Sequence, residues 1–382
     1  MGAHALLSPS AAHRWLNCTA APRLEAGVED RGSSFAEEGT LAHAYCAKKL
    51  KQYLGQDTAA EDAEIAELNE RYHTGEMDEY TDTYVAIVLE KLNEARQRVS
   101  DAQLLVEVRL DFGKHIPDAF GTSDAVIIAD GVMEVIDFKY GKGVRVDADN
   151  NPQMMIYALG AYELMSFEYD IKTVRMTIVQ PRLDNLSEFE MGVDDLMVWT
   201  DTILKPRAEE AYSGKGHQMP GEWCRFCKVK SQCRALAENC VKAVNSDPSL
   251  LTRQDIEQHI LPLLPTVKSW LSGMEEYTLE QALAGVKYEG YKLVEGRSVR
   301  RISDPKAVME TLQGEGYDEA DYLKPTELRT ITDLEKLVGK KKFTALCGDS
   351  IVKPQGKPTL VPESDKRPPY NAASADFEGI NV

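Results

Sequence analysis

Residues Gly121 to Gly141 read GTSDAVIIADGVMEVIDFKYG, two apolar runs separated by Asp130-Gly131. That dipeptide is a tight hairpin signal, so FGTSDAVIIAD and VMEVIDFKYG are expected as neighbouring antiparallel strands. Side chains at i and i+2 of a strand share a face, which stands Asp137 beside Lys139 and turns Phe138 the other way. Asp124 and Asp137 are equally far from the turn, so two carboxylates face each other across the strand pair. Such a pair destabilises a sheet unless a cation lies between its members. A hard divalent ion such as Mg²⁺ takes oxygen ligands of this kind, and a neighbouring ammonium can stabilise developing phosphate charge or position a water. The bland alternative is a surface salt bridge between Asp137 and Lys139 with Asp124 as a turn residue.

Outward from this hairpin the pattern changes period. Upstream, Ser8-Pro9 suits the start of a helix running through Trp15, and SFAEEGTLAHAYCAKKLKQYL has helical spacing of apolar positions. QLLVEVRLDF alternates as a strand. Downstream, NPQMMIYALGAYELM reads as an amphipathic helix with Pro152 in its first turn, IKTVRMTIVQP returns as a strand, and another helix follows near Asp194 to Tyr212. Helices, a meander, a helix and a further strand indicate an α/β core with a mixed central sheet flanked by helices.

A composition shift near Asn245 to Pro248 suggests a boundary. Beyond it the sequence predicts a helix from about Thr252 to Ala284, a short hairpin in YKLVEGRSVRRI, and smaller helices ending in DLEKLVGKKKF. The Pro-rich, polar end reads as extended or disordered. The expected organisation is a helical N-terminal part over 1–100, the α/β core with a cysteine run over 101–245, a mostly helical C-terminal domain over 246–352 and a tail over 353–382.

Composition narrows the function classes. No apolar run among the 382 residues approaches the roughly 18 needed to span a membrane, and the start lacks a signal-peptide layout. A soluble, cytoplasmic protein without a membrane partner is expected. In that setting seven cysteines suggest metal ligands or plain thiols rather than a disulfide framework. The net charge of −18 argues only weakly against nucleic acid, because much of the acid lies between Asp57 and Glu94, in what reads as a solvated helical face.

EWCRFCKVKSQC places Cys224, Cys227 and Cys233 in a C-x2-C-x5-C run. A closed zinc site or an iron–sulfur cluster needs a fourth thiolate. Spacing alone favours Cys240 and a zinc ribbon, with Cys18 as the distant candidate. Cys46 and Cys347 read as ordinary thiols. Lys142 and Arg145 flank the acid–lysine strand, and Arg225, Lys228, Lys230 and Arg234 surround the cysteines. These groups read as a path for DNA phosphates or as solvated charge, as do GRSVRR (Gly296–Arg301) and GKKKF (Gly339–Phe343).

Gln153 and Tyr157 stand at i and i+4 on one helical face, and His43 follows Gly39-Thr40 on an N-terminal helix. The set GTLAH (Gly39–His43), Glu107, GTSD (Gly121–Asp124), IDFK (Ile136–Lys139) and QMMIY (Gln153–Tyr157) resembles the RecB-type nucleases of the PD-(D/E)xK superfamily, with the motifs in order over roughly residues 1 to 240. The resemblance implies a restriction-endonuclease-like core. It also implies Mg²⁺ or Mn²⁺ held by His43, Asp124, Asp137 and the carbonyl of Phe138. Glu107 would assist at a second metal or orient water, Lys139 would position the nucleophile, and Gln153 and Tyr157 would orient the lysine and the scissile phosphate. Iron–sulfur members of this type carry one distant N-terminal cysteine and a C-x2-C-x5-C run. The resemblance therefore assigns Cys18, Cys224, Cys227 and Cys233 to a 4Fe-4S cluster, with Zn²⁺ as the alternative at that site.

The implied function is a metal-dependent DNA exonuclease in phage or prophage recombination or replication. Its implied partners are DNA, a phage replication protein such as an annealing protein or helicase, or a second copy of the chain. The competing readings are a non-catalytic DNA-binding or scaffold protein on the same fold, and an electron-transfer protein using the cluster.

Overall fold

The computed structural model describes residues 5–28, 32–244, 252–296, 300–323, 328–352, 356–362 and 368–370. The chain forms two compact units, Met1–Leu271 and Ser272–Val382. The composition shift at Asn245 to Pro248 lies outside the described residues, as do 297–299 of the GRSVRR stretch and 371–382 of the tail.

The first unit opens with a short 3-10 turn, Pro9–Ala11, leading into α1 (Ala12–Asn17). Ser8 stands at the cap position without capping through its side chain. Its hydroxyl meets Ser10 at 3.3 Å and its carbonyl accepts the Trp15 indole N–H at 3.0 Å. There follow α2 (Ala21–Glu25), α3 (Ser34–Tyr53), α4 (Ala59–Tyr72) and α5 (Gly75–Arg98). Helices α3 and α5 begin at side-chain caps, Ser33 accepting the Ala36 N–H and Thr74 that of Met77, which satisfies one orphan donor at each start.

Five strands then build one sheet in the order β1 (Gln103–Asp111), β2 (Phe120–Ile128), β3 (Gly131–Phe138), β4 (Ile171–Gln180) and β5 (Asn185–Gly192). The β1–β2, β2–β3 and β4–β5 pairs are antiparallel and β3–β4 is parallel. The parallel step needs a crossover, supplied by α6 (Pro152–Met165). Gly131 takes the positive φ (87°) that the two-residue turn requires. β5 escaped the sequence reading because it is an edge strand with Leu186, Glu188 and Glu190 turned to solvent. The unit continues through α7 (Val193–Trp199), a π turn, α8 (Lys205–Ser213), α9 (Arg234–Val244) and α10 (Arg253–Asp255).

Apolar side chains cover both faces of the sheet. On one face Trp15, Phe112, Val135, Met154 and Ile156 form a core with α1, α6, α7 and α8. On the other, Leu41, Tyr84, Leu92, Ile136 and Phe138 pack beneath α3, α4 and α5. Central β3 is buried on both sides, which is why it reads as a continuous apolar run. Its Glu134 is tolerated because Lys91 of α5 lies 2.8 Å away and the Thr177 hydroxyl donates to it at 2.6 Å. Close packing makes Gly160 of α6 a testable point: a Cβ there would come within 2.4 Å of the Phe112 ring. Gly160→Ala is expected to cost about 1–3 kcal/mol by overpacking, seen as a lower denaturant midpoint with unchanged slope. An unchanged midpoint would mean that Phe112 moves aside freely.

Helix α11 (Leu264–Leu283) carries the chain from the first unit into the second. There, α12 (Pro305–Gly314), α13 (Glu319–Tyr322), α14 (Ile331–Val338) and α15 (Lys340–Cys347) enclose a small core of Val308, Leu312, Tyr322, Leu334 and Phe343. The expected hairpin in YKLVEGRSVRRI does not form. β6 (Tyr291–Gly296) pairs with β9 (Gly356–Pro362), whereas β7 (Arg301–Ile302) pairs with β8 (Ile351–Val352). No Asn-Gly or Asp-Gly pair joins β6 to β7, so nothing local enforces a two-residue turn. The start of the expected tail is thus a paired strand. Among the described residues no helix is long and apolar enough to cross a membrane.

Candidate metal and lysine site

The β2–β3 ladder stops at Ala125 opposite Ile136, and the next position would set Asp124 against Asp137. The Asp124 carboxylate takes over the role of a ladder acceptor, receiving the Phe138 N–H on Oδ2 at 2.7 Å. Its Oδ1 lies 3.1 Å from His43 Nδ1 of α3. On β1, Val106 pairs with Ala125 and Val108 with Ser123, leaving Glu107 out of the register. Glu107 has φ +53°, a left-handed conformation that costs a residue with a Cβ about 1–2 kcal/mol. One ligand atom from each of His43, Glu107 and Asp124 lies within 4.8 Å of the others.

Asp137, 4% exposed, is turned toward the lysine rather than into this triplet. Its Oδ1 accepts from Gln153 Nε2 at 3.0 Å, and Lys139 Nζ stands 2.9 Å from Oδ2. Gln153 Oε1 in turn accepts from Lys139 at 3.0 Å, which closes a ring of three side chains. Gln153 is placed by Asn151, whose side chain caps α6 by accepting the Gln153 and Met154 N–H groups, with Pro152 at the first helical position. One turn on, Tyr157 hydrogen-bonds Gln153. Gly121 permits that approach, since a Cβ on it would stand 3.1 Å from both the Tyr157 ring and Pro9. The Phe138 ring packs edge-on against His43 at 5.2 Å and against Tyr84 at 4.8 Å.

The charges at this site are strongly perturbed. Burial alone would lower the His43 pKa, but Asp124 overrides it by charge and hydrogen bond, lifting it from 6.5 to about 9. Burial lifts Glu107 to about 7, aided by the Asp124 charge. Burial also raises Asp137, with Lys139 opposing and Asp124 adding to the shift. Asp124 goes the other way, because His43, the Phe138 N–H and Lys139 outweigh its desolvation. The Tyr157 hydroxyl is pushed well up by burial and the two aspartates.

A divalent cation fits these residues. One imidazole nitrogen and several carboxylate oxygens suit Mn²⁺ or Mg²⁺. Asp137 Oδ2 is buried without a donor in hydrogen-bond geometry, so it has a lone pair to offer. The two raised pKa values then fix a pH dependence. Both groups bind protons more tightly in the folded, metal-free chain than when unfolded, so its stability falls with pH, through about 7 for Glu107 and about 9 for His43. A cation held by those groups displaces the protons. The rise in melting temperature on adding Mn²⁺ is therefore expected to be larger at pH 8.5 than at pH 6. Calorimetry in two buffers of different ionisation enthalpy should show about one proton released per ion near pH 7.5. A larger rise at pH 6 would contradict this.

Cys18, Cys224, Cys227 and Cys233 line one pocket with Ala21, Leu24 and Leu236. Two sulfurs already accept backbone N–H groups, Cys18 from Met219 and Cys224 from Gly221. Burial pushes the Cys227 thiol up to about 12. Cys240, 2% exposed, packs with Leu236 and Trp270 beside the pocket, while Cys46 and Cys347 are buried in the apolar cores of their own units. The segments that bring Cys18 to the run are laced independently of the thiols. Arg14 donates to Glu25 at 3.0 Å, the Lys228 N–H donates to Glu25 at 2.7 Å, and Thr19 accepts the His217 N–H at 2.9 Å. Gly216 is required there, because a Cβ would fall 2.2 Å from the Thr19 backbone.

Among the basic residues, Lys142, Arg145, Arg225 and Lys228 are exposed. Lys230 is half-buried and already donates to the Arg225 carbonyl (3.1 Å) and Ser269 (2.9 Å). Its ammonium ties a loop to a helix, unlike the DNA contact expected of it. The sequence reading did not single out Gln180, a buried amide ending the apolar run of β4. A polar residue closing such a run was the available signal.

Fold and site define a mixed α/β protein with a His–Glu–Asp set beside an Asp–Lys–Gln ring at the end of its central sheet. The chain belongs to the family described as protein of unknown function, DUF2800, whose model matches residues 4–368. Among solved structures, it is similar to a candidate exonuclease from Eubacterium rectale at 12% identity, covering 66% of this chain and 93% of that one, with a TM-score of 0.34. It is also similar to SSO0001 at 16% identity, covering 59% and 96%, with a TM-score of 0.24.

Proposed function

We propose that the chain is a metal-dependent DNA nuclease of the RecB type, acting as an exonuclease on DNA ends in phage or prophage recombination or replication. The observation that carries this reading is the convergence of His43, Glu107 and Asp124 with Asp137 and Lys139 where β2 and β3 part. Mg²⁺ or Mn²⁺, held by His43, Glu107 and Asp124 with Asp137 Oδ2 turned toward them, would supply charge neutralisation and a more acidic water. Lys139 is the group that meets the scissile phosphate or the attacking water. Asp137 and Gln153 hold its ammonium in one place, so that its charge is preorganised for the pentavalent phosphorus and little is lost to reorganisation. Tyr157 stays protonated and braces Gln153.

We propose further that Cys18, Cys224, Cys227 and Cys233 hold a 4Fe-4S cluster joining the N-terminal segment to the end of the core. Four sulfurs facing one pocket support a four-thiolate group. Sulfurs on one tetrahedral zinc, at bonds near 2.3 Å, lie about 3.8 Å apart. Among the described residues only the His43 set brings three such ligand atoms within 4.8 Å, so the thiols ring a space wider than zinc needs.

The test is end-labelled linear DNA, single- and double-stranded, beside a closed circle, with anaerobically purified protein and Mg²⁺, Mn²⁺ or chelator. Metal-dependent shortening of linear DNA alone is the expected result. Cutting of the circle would make the enzyme an endonuclease. Binding without cleavage under every metal would favour the non-catalytic DNA-binding reading.

A further inference from the structure

Residues 141–149 follow directly on Lys139 and contain neither helix nor strand. Three side chains from β4 and β5 tie this loop down. Gln180, 1% exposed, donates through Nε2 to the carbonyls of Gly141 (2.7 Å) and Val144 (2.8 Å). Its Oε1 accepts the Val146 N–H at 3.2 Å. Asn185, its partner across the strands, donates to the Val146 carbonyl at 2.8 Å and to Gln180 at 3.2 Å. Ser187 accepts the Ala148 N–H at 2.9 Å and donates to Asp147 at 2.6 Å. An amide buried this deeply and bonded at both ends to one loop fixes that loop's shape, because any other loop conformation would strand buried donors and acceptors.

The two basic side chains of this loop point to a use. Lys142 and Arg145 are exposed, and neither makes a hydrogen bond or ion pair among the described residues. The acids of the loop lie further on, with Asp147 turned to Ser187 and Asp149 next to the start of α6. The half nearest Lys139 in sequence is therefore the positive half.

We propose that Gln180 is a positioning residue, holding Lys142 and Arg145 as a preformed grip on the backbone phosphates of a nucleic-acid strand entering beside Lys139. The proposal rests on the nuclease reading. A loop fixed before binding loses less conformational freedom on contact, which is what a grip of only two cations requires.

A double-mutant cycle in chelator, where no cleavage occurs, tests it. Binding of a short labelled DNA strand is measured over a salt series for the native protein, Gln180→Leu, the Lys142→Ala/Arg145→Ala pair, and all three together. The pair should weaken binding roughly tenfold and lower the salt slope by about 2, one per lost phosphate contact. Gln180→Leu should reproduce much of both effects, and adding it to the pair should weaken binding no further. If the Gln180→Leu effect instead multiplies fully onto that of the pair, Gln180 acts elsewhere and the proposal fails. Should Gln180→Leu not fold, Ser187→Ala takes its place in the cycle, since it removes two bonds from a half-exposed hydroxyl. Its smaller loss should likewise vanish in the Lys142→Ala/Arg145→Ala background, and persistence there overturns the proposal. Failure of the native protein to bind DNA at all would overturn the nuclease reading and this proposal with it.

Discussion

Lys139→Ala is expected to slow cleavage of linear DNA by about a thousandfold while leaving DNA affinity within a few-fold, because it removes one preorganised cation aimed at the reacting phosphate. The ammonium stands 2.9 Å from Asp137 and 3.0 Å from Gln153, so no side chain nearby can replace it. Asp137→Ala should be equally damaging by a different route. It frees Lys139 and leaves the buried Gln153 amide without its acceptor. Measured by single-turnover kinetics with binding assayed separately, a near-native rate in Lys139→Ala would remove the lysine from the mechanism. A loss of binding as large as the loss of rate would reduce it to a DNA contact.

The second large effect is expected at the cysteines. A cross-link from Cys18 to Cys224 closes roughly 200 residues, for which chain entropy alone gives about 5 kcal/mol. The hydrogen bonds of Arg14, Glu25 and Thr19 to the same loop survive the loss of a thiol and retain part of that. Cys18→Ser is therefore expected to abolish the visible absorption of the cluster and lower the melting temperature by about 10 °C. Cys240→Ser, beside the pocket, should retain the colour. Zinc in place of iron by elemental analysis, or a coloured Cys18→Ser protein, would contradict the assignment.

How much of this was legible in the sequence follows from which features are local. The Asp130-Gly131 turn and the change of period around it are local, so the β2–β3 hairpin and the opposition of Asp124 and Asp137 could be read directly. The Gln153–Tyr157 face follows from helical spacing behind Pro152. Glu107 is different: its place in the triplet depends on a φ of +53° in a strand that reads as regular. The division of labour between carboxylates was hidden for a similar reason. Asp137 looks like a metal ligand by symmetry with Asp124, yet its buried oxygens are largely engaged by Lys139 and Gln153. The edge strand β5 and the pairing of β6 with β9 depend on partners distant in sequence, as does the hold of Gln180 on the 141–149 loop. Lys230 read as exposed charge because its acceptors, the Arg225 carbonyl and Ser269, come from a tight loop and a distant helix.

The central claim is that the His43–Glu107–Asp124 set and the Asp137–Lys139 pair form one reaction centre. The most direct measurement is single-turnover cleavage of end-labelled linear DNA across a Mn²⁺ titration, by the native protein and Asp124→Asn purified side by side. The native protein should cleave with a saturable dependence on Mn²⁺, and Asp124→Asn should show no cleavage at any concentration while still folded. Equal rates in the two proteins, or no cleavage by native protein saturated with metal and carrying its cluster, would contradict the claim.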